Sequence, residues 1–347
     1  VKDYLKDIFS RTETWVFLLC LAVIHGASFH VIDIVNATEG NDTVSYLGLF
    51  NFDFNQYSVR KYRIIVPFAA RLVHTIFGGV FTKLAPDSFP GDFAVGMSFL
   101  VVNNLIMALF GVFVFRFISN YCSWILASLV GLLSMLTCRW TAVIAGLPLV
   151  DSLYLLVLAM VLVGLKEKNK KLLIISIFLG PWAKESFIFI APIIFFYAPI
   201  KKVKQVLFFA ISGALVFSAR YYIDTISGTD VAGTMQENFS HFGSIWYSLK
   251  RLFSFHGVYE VFSVTGFWIL LVIPVLIKKV FLKSVKKFEP FVLWYIVSVL
   301  FQAILSTDIA RMLFMLTPVF AALWAVFLEQ ITPKNFKEKL NFSPRSI

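Results

Sequence analysis

Charge is scarce in this chain. Asp, Glu, Lys and Arg make up 15% of its 347 residues, hydrophobic side chains make up 59%, and the mean hydropathy is +0.81. A chain so poor in charge lies outside the soluble globular class. Cysteine is almost missing as well: Cys20, Cys122 and Cys138 are odd in number and show no CxxC spacing. That excludes a disulfide framework and a thiolate metal site, and leaves small core residues. There is no H-E-x-x-H pair, no P-loop, no dinucleotide fingerprint and no internal repeat, which counts against a nucleotide-driven pump. The long alternating runs that barrel strands require are also lacking. What remains is an all-α polytopic membrane protein.

The apolar runs set an expected count. The first, Trp15 to Ile34, follows a charged start and is read as a membrane helix. Further spans are expected at about residues 93–116, 122–138, 149–165, 206–223, 264–277, 290–305 and 311–329. Two shorter pieces between 172 and 199 flank Ala183-Lys184-Glu185 and read as a helical hairpin with charges at its tip. This gives about 10 transmembrane helices in a single domain over residues 1–347. The stretch from Tyr62 to Lys83 is apolar enough to tempt a spanning assignment. Its polar residues gather on one face, however, and Pro67 comes early, so an amphipathic interfacial helix in a first external loop, 35–92, is the expectation.

Loop charge fixes the orientation. With this count, 20 of the 31 basic residues fall on one side, whereas 13 of the 20 acidic residues fall on the other. The basic side is cytoplasmic, with both termini, in a bacterial inner or plasma membrane. Asp33, Asp42, Asp53, Arg63, Asp151, Lys184, Glu185, Asp224, His241, Asp308 and Arg311 then share the external face. The stretch Asn41–Leu72 is the densest part of this set, and charge inside a membrane protein is expensive unless it has a task.

Each candidate also has a plain structural use. Asp42 in Gly-Asn-Asp-Thr suits a turn, Asp53 a cap or a pair with Arg60, and Asp151 an N-cap. Arg60 and Lys61 suit phospholipid headgroups. Asp308 and Arg311, three apart, suit a local bridge. Lys184 and Glu185 suit each other, but a charged pair at a buried hairpin tip points to function. The external loop 224–263 has the small polar residues of a lid or of a connector.

Asp42 and Tyr46 form D-x-x-x-Y, and Tyr62-Arg63-Ile-Ile-Val-Pro67 follows before the long helix. Asp151 opens a helix, Lys184-Glu185 follows a Pro-Trp, and Asp308-Ile-Ala-Arg311 precedes a Thr-Pro. In this order the chain resembles the polytopic glycosyltransferases of the GT-C superfamily. The resemblance implies transfer of a sugar from a polyprenyl-phosphate donor to an acceptor on the external face. It makes Asp42 the catalytic base, with Asp53 and Asp33 as alternatives in the same loop region. Tyr46, Arg63, Asp151, Lys184, Glu185, His241, Asp308 and Arg311 would contact substrate. Arg63, Lys184 and Arg311 have the charge a departing phosphate needs.

No metal and no cofactor are expected, since the first loop lacks adjacent acidic residues. The expected partners are a lipid-linked sugar, membrane lipids and a glycan, lipid or protein acceptor of the cell envelope, with no nucleic acid. The competing readings are a transporter or flippase for a lipid-linked glycan and an O-antigen polymerase or ligase.

Overall fold

The computed structural model describes residues 11–31, 41–56, 60–85, 93–228, 245–271, 273, 276, 280–306, 308–333 and 335. Among these residues every regular element is a helix and none is a strand. The first half contains α1 (Arg11–Val31), α2 (Asn41–Phe50), α3 (Ile65–Leu84), α4 (Phe93–Ser119), α5 (Ile125–Leu136), α6 (Arg139–Gly146), α7 (Asp151–Lys166) and α8 (Lys170–Ala183). The second contains α9 (Ala191–Tyr197), α10 (Lys202–Ser227), α11 (Ile245–Leu252), α12 (Phe255–Thr265), α13 (Phe281–Val285), α14 (Pro290–Leu305), α15 (Ile309–Leu313) and α16 (Thr317–Ile331). Short 3-10 turns at Arg60–Tyr62, Glu185–Phe189, Gly266–Leu271 and Phe314–Leu316 join them.

Among the described residues five stretches are long and apolar enough to cross a membrane: Thr12–Phe29, Ile65–Leu84, Phe93–Ser119, Lys202–Ser227 and Ile309–Ile331. The pair α5–α6, bent by 61° at Thr137–Cys138, makes a sixth if taken as one broken span. Among the described residues the expected count of about ten is not reached by this measure, and α7 shows one reason. It has 16 residues, about 24 Å of helix against a ~30 Å hydrocarbon layer. Every residue from Asp151 to Leu165 is buried. An apolar run records burial, and protein buries it here as fully as lipid would.

The stretch expected as an interfacial helix is helical. Its helix starts at Ile65 after a 3-10 turn, and by length and apolarity it ranks with the spanning helices. Pro67 falls in its first turn, where a backbone N–H has no intrahelical partner to lose, so it does not interrupt the helix.

Helix α4 is the hub, packing against α1, α3, α5, α6, α7 and α16. Close contacts rest on small residues: a Cβ at Gly111 would meet the Cys20 Sγ at 2.5 Å, and one at Gly131 the Ala321 carbonyl at 2.4 Å. The outward faces of α3 and α10 keep Ile76 and Phe217 more than half exposed, as a hydrocarbon solvent permits. Two buried asparagines tie α4 to its neighbours. Asn104 meets Ser28 and His25 of α1. Asn103 donates to the carbonyls of Leu147 and Leu149 and accepts from Ser152. Those last three bonds fix the turn into α7, and with it the position of Asp151.

A buried ion cluster as candidate functional site

Four segments far apart in sequence bring charge to the start of α7. Asp42 lies in the first turn of α2, where the helix dipole favours a carboxylate. Its two oxygens are held separately, Oδ1 by Arg60 at 2.6 Å and Oδ2 by Arg311 at 2.7 Å. Tyr46 sits one turn along on the same face and is buried. Its hydroxyl accepts from Arg63 Nη1 at 3.0 Å. Arg63 turns its Nε and Nη2 to one oxygen of Glu185, at 3.2 and 2.9 Å. The other Glu185 oxygen meets Arg220 at 3.3 Å.

Lys184 and Glu185 do not pair with each other. Lys184 has extended backbone, φ −164° and ψ 141°, so the two neighbouring side chains leave in different directions. Glu185 reaches Arg63, while Lys184 Nζ reaches Asp151 Oδ1 at 3.0 Å. Nor does Asp151 cap its helix. It is the first residue of α7, after Val150, and makes no capping hydrogen bond. Asp308 does cap, accepting from the Arg311 N–H, and its other oxygen lies 3.5 Å from Arg311 Nε in the local bridge its spacing suggested.

Several polar atoms here are buried without a hydrogen-bond partner. They include Asp151 Oδ2, Arg311 Nε and Arg220 Nε. Asp151 Oδ2 and Arg311 Nε stand 3.8 Å apart, beyond hydrogen-bond reach of one another. A single oxygen bearing a proton, water or alcohol, satisfies both by accepting from the arginine and donating to the carboxylate.

The electrostatics follow from this packing. Burial pushes the Asp42 carboxyl up, but the Arg311 and Arg60 guanidinia outweigh it and hold the group below the usual carboxylate range. Burial likewise pushes the Tyr46 phenol up and keeps it neutral. Arg63 is pulled down by burial and up by Glu185, Tyr46 and Asp151 together, which outweigh it, so it stays a cation.

Sequence reasoning placed Asp42, Tyr46, Arg63, Asp151, Lys184, Glu185, Asp308 and Arg311 in one set, and the structure brings these eight together. It leaves Asp53 out. That carboxylate is exposed and accepts from the Asn55 N–H and from Gln56 in its own turn, at 2.9 and 2.7 Å. His241 and Asp33 lie outside the described residues. Four members of the cluster were not anticipated as such. Arg60 and Lys61, expected at headgroups, pair instead with Asp42 and Asp224. Tyr62 donates to Asp224 at 2.8 Å, and Arg220 lies over the Tyr62 ring. The signal for Arg220 was present: a charge one turn before Asp224, near the end of a helix whose other charges, Lys202 and Lys204, lie at its start.

Among the described residues no three or more His, Cys, Asp or Glu side chains converge as a metal cage would. No protein-family model, no curated protein and no solved structure matches the chain. Function is therefore read from the site.

Proposed function

We propose that this chain is a membrane glycosyltransferase that moves a sugar from a polyprenyl-phosphate donor to an acceptor hydroxyl. The carrying observation is the buried ion cluster, in which Arg60, Lys61, Arg63, Lys184, Arg220 and Arg311 converge from distant segments. Their guanidinium and ammonium groups have the charge and the donors that a lipid-linked phosphate takes.

In the proposed step the acceptor oxygen attacks the anomeric carbon and the bond from that carbon to the phosphate oxygen breaks. The hydroxyl proton passes to Asp42, and the electron pair leaves with polyprenyl phosphate, whose charge the arginines and Lys184 stabilise. Asp151 anchors Lys184 and Arg311. On the ten-helix count the loop charges favour a cluster on the external side with both termini cytoplasmic. On that orientation Tyr62 to Lys83 stays on the outer side, within a bundle of about ten helices.

The test is transfer from a polyprenyl-phosphate sugar by purified protein in bilayers. Sugar release that depends on acceptor and is lost in Asp42→Asn supports the reading. A second reading, a flippase for a lipid-linked glycan, draws on the broken pair α5–α6, since interrupted helices mark transporter sites. It predicts movement of the intact donor between leaflets, with no cleavage.

A further inference from the structure

The Asp42 carboxylate is both the proposed base and the most heavily clamped group in its loop. Arg60 closes on one oxygen and Arg311 on the other. Among the described residues, Asp151 across from α7 and Tyr46 on its own helix are the further titratable groups that act with it. Two guanidinia stabilise the anion, and a stabilised anion is a weak proton acceptor. As it stands, the site holds its base in a poor state for the reaction. The same guanidinia carry the forked donors that recognise phosphate.

The two arms of the clamp are built differently. Arg311 has Asp151 and Asp308 within 3.8 and 3.5 Å as well, so it stays anchored if Asp42 lets go. Arg60 comes from a three-residue 3-10 turn, with its side chain partly open to solvent. That turn runs straight into Arg63, the next cation of the cluster.

We propose that Arg60 is a positioning residue that holds Asp42 in a closed clamp with Arg311, and that the phosphate of a lipid donor opens the clamp by taking these guanidinia. The inference rests on the glycosyl-transfer reading for its ligand. Donor binding then does two things at once: it seats the leaving group on the arginines and returns proton affinity to Asp42. Activation of the acceptor is thereby tied to the presence of the donor, and a site without donor does not deprotonate stray alcohols or water.

The experiment is carbodiimide coupling of a small amine to carboxyl groups at mildly acid pH, on the full chain in nanodiscs, read by peptide mass spectrometry. The reagent attacks protonated carboxyls, so it reports proton affinity and access together. Asp53, exposed and in its own turn, is the internal standard. Asp42 in the wild type is expected to label poorly. In Arg60→Gln, without any ligand, its labelling rises roughly tenfold, as when a carboxylate loses about 1.4 kcal/mol of cationic stabilisation. Arg60→Lys restores the protection. Polyprenyl phosphate added to the wild type gives a similar rise, and a polyprenol without phosphate gives none.

If Arg60→Gln labels at Asp42 like the wild type while Asp53 labels normally, the clamp is overturned. If polyprenyl phosphate is bound by native mass spectrometry and Asp42 labelling stays flat or falls, opening by phosphate is overturned. If polyprenyl phosphate does not bind at all, the donor reading of the site fails, and the Arg60 arm alone decides the clamp.

Discussion

The two ends of α7 both carry ion pairs, and they are built to different standards. At its far end Lys166 meets Glu289, which also accepts from Tyr121, and Glu167 meets Arg116 of α4 through paired hydrogen bonds. Nearby, Glu329 accepts from Ser123 and Lys287. The acids and bases of these three groups are partly exposed and leave no buried atom unpaired. At the Asp151 end the ions are more deeply buried, each guanidinium of Arg63 and Arg311 spans two or more groups, and polar atoms are left without partners. The three groups at the Lys166 end are satisfied within the protein. The Asp151 end is not, and it is there that the proposal places the donor.

The sharpest way to break this contrast is to remove charge at each end in turn. Asp42→Asn is expected to lower transfer by ~10²- to 10⁴-fold, the usual range for loss of a general base. Asp53→Asn, in the same loop region, leaves turnover at the wild-type level in the same assay. Equal losses in both would erase the distinction between clustered and solvated carboxylates.

Stability should divide in the same way. Lys184→Gln takes from the buried Asp151 the cation hydrogen-bonded to it, leaving Arg311 at 3.8 Å, and is expected to destabilise by ~3 kcal/mol. Glu167→Gln at the other end costs ~0–1 kcal/mol, because that pair is partly solvated. Denaturation of the purified variants in detergent measures both, and a larger loss at Glu167 reverses the comparison.

A smaller effect comes from acid. The folded-state carboxyl of Asp42 is held below its ordinary value, so its contribution to stability is complete above that ordinary value and is lost as pH falls through the folded one. The wild type should therefore lose melting temperature on acidification below the usual carboxylate range of about 4. Asp42→Asn should lose less over the same window, and parallel curves would remove Asp42 from the linkage.

How much of this was legible beforehand depends on what each residue announces. Lys184 and Glu185 stand out in an apolar hairpin because charge there is expensive, and the site did form around them. Partner choice was not legible. Asp42 and Arg311 are 269 residues apart, and nothing local says that they meet. Asp53 looked equivalent to Asp42 by type and place; only its turn, with Asn55 and Gln56 as donors, sets it aside. The number of spans was blurred for a different reason. Hydropathy reports that a segment avoids water, and α7 does so inside protein.

The most direct measurement is the lipid content of the purified wild-type protein, read by mass spectrometry after gentle extraction. A polyprenyl monophosphate, free or carrying a sugar, retained through purification and displaced by added polyprenyl phosphate is the predicted result. Phospholipid alone, with no retention of added polyprenyl phosphate, contradicts the claim that the Asp151 end of the bundle is a donor site.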